Sequence, residues 1–154
     1  MSLERVSPIL SIITNISVIA GIMFLAYELN QNTATLQNSS YQSVLATLTD
    51  WDRTLATDED LNRIIREAEN SPENLSMDEW SRFERYGFSL FGIWEYIFLS
   101  NQQNALSDLQ WTAFEPYFLA ISCSPGYRSF WKKNSHGYSP EFKTYVEREV
   151  LIKC

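Results

Sequence analysis

One histidine, two cysteines and five glycines among 154 residues leave this chain short of the groups on which most enzyme signatures are built. With His136 alone, neither the paired Glu-x-x-His motifs of a di-iron bundle nor a His-Glu-x-x-His zinc helix can be assembled. His136 itself, in the run NSHGY, reads as a surface residue rather than a general base. The glycines form no Gly-x-Ser-x-Gly elbow and no phosphate-binding loop, and no Cys-x-x-Cys occurs. Cys123 and Cys154 make no disulfide framework, although one pair is compatible with an oxidising compartment. Cys123 is expected to be a small buried residue, and Cys154 to lie in an end that frays. No catalytic residue, metal or cofactor is therefore expected.

Alternation of apolar and polar residues is equally scarce, and prolines such as Pro72, Pro125 and Pro140 stand at element boundaries. Sheet architectures lose their signal, and the fold class expected is all-α. Short helices begin at Thr57 or Asp58, after Ser124-Pro125 and after Ser139-Pro140, each with a capping residue and, in the last two, proline at the first helical position. Ser76-Met77-Asp78-Glu79 and Ser107-Asp108-Leu109-Gln110 are capping boxes, opening a long helix to about Gln103 and one of roughly fifteen residues that Pro116 should kink.

Charge is missing where it matters most. From Ile9 to Tyr27 there are 19 uncharged residues, with mean hydropathy roughly 2 and a helical rise of about 28 Å. That length spans a bilayer, so residues 1–30 are read as a transmembrane helix and 31–154 as a stalk and helical bundle domain. The competing reading is the core helix of a soluble bundle; a cleaved signal peptide would have a shorter apolar run and a small-x-small site. Arg5 precedes the segment and no Lys or Arg lies between Tyr27 and Arg53, which places the N-terminus in the cytoplasm and the domain outside. From Leu29 onward Leu36, Val44, Leu45, Leu48, Trp51 and Leu55 keep helical spacing, so the helix is expected to continue as a long amphipathic stalk, with the Asn and Ser residues around 30–40 making the junction its weakest stretch.

Polar residues within that segment fall on one helical face: Ser7, Ser11, Thr14, Ser17, Gly21 and Glu28 recur at spacings of three, four and seven. Ser17 and Gly21 form a small-x-x-x-small pair, and Asn15 beside them can hydrogen-bond to a neighbouring helix. The partners expected are membrane lipid and either further copies of the chain or another membrane protein. A different reading makes the same stripe the lining of a homo-oligomeric channel, with Glu28 at its mouth.

What the chain has in abundance is aromatic residues: five Trp, eight Tyr and nine Phe, many in YGFSLFGIWEYIFL at 86–99. A helix apolar on nearly every side belongs at the centre of a bundle or against a lipid surface. Its one charge, Glu95, is expected to be paired with Arg128, the alternative being a perturbed acid or ligand-binding group. Residues 50–115 hold fourteen acids and five bases, whereas 120–154 hold three acids and six bases. The basic tail is expected to dock on the acidic middle, or to touch a membrane surface through Trp131, Lys132 and Lys133. A net charge of −7 repels nucleic acid, so none is expected as a partner.

The apolar helix running into YELNQNT, the WEY of residues 94–96, and the segments SPGYRSFW and SPEFKTYV together resemble a group of small bacterial proteins of uncharacterised function. The resemblance implies a bacterial source and a helical, membrane-anchored fold. It implies no activity.

Overall fold

The computed structural model describes residues 6–154, with side-chain surroundings from residue 10 onward. Among them are six α-helices and no strand: α1 (Val6–Thr57), α2 (Glu59–Asn70), α3 (Met77–Gln102), α4 (Asp108–Ser122), α5 (Pro125–Asn134) and α6 (Pro140–Tyr145). A π turn, Val146–Val150, and a 3-10 turn, Leu151–Lys153, follow. The chain divides after Leu36 into two units. Arg5, which carries the expected orientation, and the side chain of Ser7 lie outside the described residues.

The helix boundaries follow local chemistry. Asp58 caps α2 by accepting from the Leu61 N–H at 2.9 Å. Both capping boxes close reciprocally: the Ser76 hydroxyl accepts from Glu79 N and Glu79 accepts from Ser76 N, and Ser107 and Gln110 do the same. Such a cap stabilises a helix by about 1 kcal/mol. Ser124 and Ser139 occupy the N-cap positions of α5 and α6, yet neither hydroxyl makes a capping bond. Proline at the first helical position sets the backbone there instead. α4 runs through Pro116 as one helix.

In the first unit, α1 is exposed on all sides: its most apolar 18-residue window has a mean hydropathy of 2.0 and no buried residue. Ile12, Ile16, Ile19, Ile22, Phe24 and Leu25 each leave more than half their surface open. This helix is long and apolar enough to cross a membrane. α1 remains helical through residues 30–40, the stretch expected to be weakest. Each Asn or Ser there costs only about 0.5 kcal/mol in helix propensity, and the Thr35 hydroxyl bonds back to the Gln31 carbonyl.

The second unit, Gln37–Cys154, is a bundle around α3. α1 enters it along an apolar stripe: Val44 is buried, and Tyr41, Leu48, Trp51 and Leu55 pack against the core at helical spacing. From α3 come Phe83, Leu90, Phe91, Trp94, Ile97 and Phe98, all buried. Phe91 is the hub, its ring lying 5.0–5.4 Å from Trp94, Phe130 and Trp131. Burying a side chain of this size stabilises the fold by roughly 2–3 kcal/mol. At Gly126 a Cβ would overlap the Ala68 backbone carbonyl, so glycine is what lets α5 approach α2.

Cys123 and Cys154 are joined in a disulfide, with Cα atoms 5.2 Å apart. Cys154, expected in an end that frays, is thus tied to Cys123, and the pair closes a loop over a separation of 31 residues that contains α5 and α6. By the chain-entropy argument a loop of that length stabilises by about 3.5 kcal/mol.

Candidate functional site

Two places gather the polar groups singled out by the sequence. On α1 the residues Ser11, Thr14, Asn15, Ser17 and Gly21 are all exposed, and Glu28 is half-exposed. Thr14 Oγ1 donates to the Leu10 carbonyl and Ser17 Oγ to the Ile13 carbonyl, each at 2.9 Å. These hydroxyl protons are satisfied within the helix and need no water, which is what an apolar surrounding demands. Asn15 has no side-chain hydrogen bond among the described residues. Its amide is a group that an apolar surrounding leaves in need of a partner. Around Gly21 an added Cβ would meet nothing within 4 Å, so the glycine answers no crowding in this chain and leaves a flat place for a neighbour. Tyr27 and Gln31 are bonded at 2.6 Å just beyond the uncharged stretch.

On α3, Glu95 is half-buried and accepts a 2.6 Å hydrogen bond from the backbone N–H of Ser139, the N-cap of α6. The structure does not bring Glu95 and Arg128 together: Arg128 is exposed on α5, and no ion pair joins the two. An amide at a helix start does the work expected of a guanidinium, because its N–H is unpaired inside the helix and carries partial positive charge. That partner was illegible to pairing by charge, since it is main chain. Serine-proline 44 residues downstream of a lone carboxylate was the only available signal.

The acidic middle and the basic tail meet in two ion pairs, Lys133–Glu84 at 2.6 Å and Lys153–Glu115 at 3.6 Å. Burial pushes the Glu84 carboxyl up, but hydrogen bonds from Lys133, Trp80 and Asn134 outweigh it and leave the pKa lowered. Within the acidic middle, Arg63 bridges Asp60 and Glu79, while Arg82 pairs with Asp58 and Asp60. Glu79 is held at about 2 by the Ser76 hydroxyl, the Ser76 N–H and Arg63. Trp131 is buried in the aromatic core, so of the three residues expected at a membrane surface only Lys132 remains both exposed and unpaired.

Chemically reactive groups stay scattered. Burial raises the pKa of Tyr86, Tyr127, Tyr138 and Tyr145 far above the ordinary phenol range, keeping all four neutral. His136 is exposed in the turn Ser135–Gly137. Among the described residues no group of three or more His, Cys, Asp or Glu is placed to hold a metal ion. Surface depressions of about 540–580 Å³ lie beside Glu59 and Arg63, between α1 and α3 at Ser43 and Gly92, and beside Arg128. No family model, no curated protein and no solved structure matches this sequence.

Proposed function

We propose that this chain is a single-pass, all-α bacterial inner-membrane protein that works by recognition: its N-terminal helix anchors it and assembles with further copies or docks on a membrane partner. The observation that carries the reading is the uncharged stretch of α1, exposed on every side, with the Thr14 and Ser17 protons already satisfied by its own backbone. The contact face is Ser11, Thr14, Asn15, Ser17, Gly21 and Glu28, with Asn15 supplying the polar bond across it. The N-terminus is cytoplasmic and the bundle periplasmic. Supporting that side are the single arginine before the helix and the Cys123–Cys154 disulfide, a bond that persists in oxidising compartments.

The test is the mass of the full-length protein in mild detergent, by light scattering with the detergent contribution subtracted, after a carbonate wash of the membranes. A defined oligomer retained through the wash is expected, falling to monomer in Asn15→Leu and Gly21→Leu. An unchanged mass in both variants would sink self-assembly through this face. The channel reading draws on the same polar stripe ending at the half-exposed Glu28. It requires Glu28→Gln to change ion conductance in reconstituted bilayers.

A further inference from the structure

The groove beside Arg128 has two walls. One is α5, contributing Arg128, Ser129 and Lys132; the other is the turn segment carrying Glu147 and Leu151. Cys123 stands two residues before Pro125 at the head of the first wall, and Cys154 three residues after Leu151 on the second. The disulfide therefore staples the walls together at one end, fixing a cleft of about 580 Å³ that would otherwise depend on short, irregular turns. Arg128 and Lys132 are one helical turn apart on the same face, and both are exposed. Neither makes an ion pair among the described residues, whereas Lys133, Lys143 and Lys153 each have a carboxylate partner. Glu147, the one acid lining the groove, is within 3.9 Å of Lys143. Ile152, next in the chain to the lining Leu151, leaves 76% of its surface open.

We infer that this stapled groove binds the phosphodiester headgroup of an anionic phospholipid, with the Arg128 guanidinium and Lys132 ammonium on the phosphate, the Ser129 hydroxyl as a further donor and Ile152 against the acyl region. Guanidinium and ammonium groups are the side chains suited to phosphate oxygens, and an exposed aliphatic next to unpaired cations fits an interface where charge and hydrocarbon adjoin. The inference rests on the membrane-anchored reading above, which brings the domain to lipid.

The experiment titrates full-length protein in zwitterionic detergent with short-chain phosphatidylglycerol, short-chain phosphatidylcholine and inorganic phosphate, by calorimetry. Saturable binding of phosphatidylglycerol is expected, at least tenfold weaker for phosphatidylcholine and in Arg128→Gln/Lys132→Gln, and weakened by salt. Both side chains are exposed, so the double variant should keep its unfolding temperature; Arg128→Lys/Lys132→Arg should retain binding and controls for the substitution itself. Equal affinity for the two lipids, or no loss in the double variant, overturns the proposal. Inorganic phosphate binding as tightly as phosphatidylglycerol identifies a free-phosphate site and overturns the lipid source. A fall in detergent-state mass in the double variant, without phosphatidylglycerol binding in the parent, assigns the groove to an acidic surface of a second copy and also overturns it. The carbonate wash separates the two readings: protein that washes off yet binds phosphatidylglycerol keeps the groove and loses the anchor, and retained protein that does not bind loses the groove alone.

Discussion

The two units use the same small polar residues in opposite ways. In the first, Thr14 and Ser17 turn their hydroxyls back onto their own helix, and the large aliphatics around them stay open. In the second, Ser76 and Ser107 sit at helix starts and satisfy backbone N–H groups, while the large side chains meet one another. Aromatic residues sort accordingly: only Phe24 and Tyr27 precede Leu36, and the other twenty belong to the bundle. The difference teaches what each region takes as its surroundings. A bundle that makes its own apolar interior benefits from rings that interlock, whereas on the exposed helix the hydroxyl protons of Thr14 and Ser17 are satisfied without any neighbour.

The sharpest way to break the comparison is to delete one large side chain from each unit. Trp94→Ala should destabilise the bundle by about 4 kcal/mol, leaving a cavity beside Phe91 and Phe118, whereas Ile19→Ala should move the urea midpoint of the bundle by less than about 0.5 kcal/mol equivalent. Equal shifts would show that Ile19 is packed on protein. Next in size, Cys123→Ser/Cys154→Ser should lower stability by about 3.5 kcal/mol. In thermal unfolding followed by circular dichroism, a reductant should cost the parent protein a similar amount and the double variant nothing.

Serine sharpens the contrast at smaller scale: Ser76→Ala should cost about 1 kcal/mol, while Ser17→Ala should leave bundle stability unchanged, because its hydroxyl serves only its own helix. The smallest effect concerns pH. Glu79 is depressed to about 2 in the folded chain by Ser76 and Arg63, against about 4.5 unfolded. A depressed carboxyl contributes stability above its unfolded pKa, and loses it as pH falls through the folded one. Urea midpoints measured from pH 5 down to pH 2 should fall more steeply in the parent than in Glu79→Gln.

How much of this was legible depended on the distance over which each interaction acts. The caps at Asp58, Ser76 and Ser107 were readable because donor and acceptor lie three residues apart. The continuity of α1 past residue 30 was readable too, from the helical spacing of Leu36, Val44, Leu48, Trp51 and Leu55; the weak local propensity of residues 30–40 is overridden by the helix on both sides. The Cys123–Cys154 bond and the Glu95–Ser139 bond both span tens of residues, and nothing in the spacing of a single pair specifies that they meet. Arg128 was the natural guess for Glu95 because only charged partners are visible in a sequence; the backbone amide that replaces it is carried by every residue but proline. On the polar face of α1, the sequence placed the residues on one side of a helix, and the hydroxyl bonds to Leu10 and Ile13 added how the Thr14 and Ser17 protons are satisfied.

The Glu95–Ser139 bond also bears on the order in which the molecule assembles. α6 is six residues long and its own N-cap hydroxyl makes no capping bond, so it is far below the length at which a helix persists alone in water. It gains its stability from Phe142 buried in the core and from a carboxylate supplied by α3. A refolding chain should therefore complete α6 only after α3 has docked, and Glu95→Gln should speed unfolding more than it slows folding.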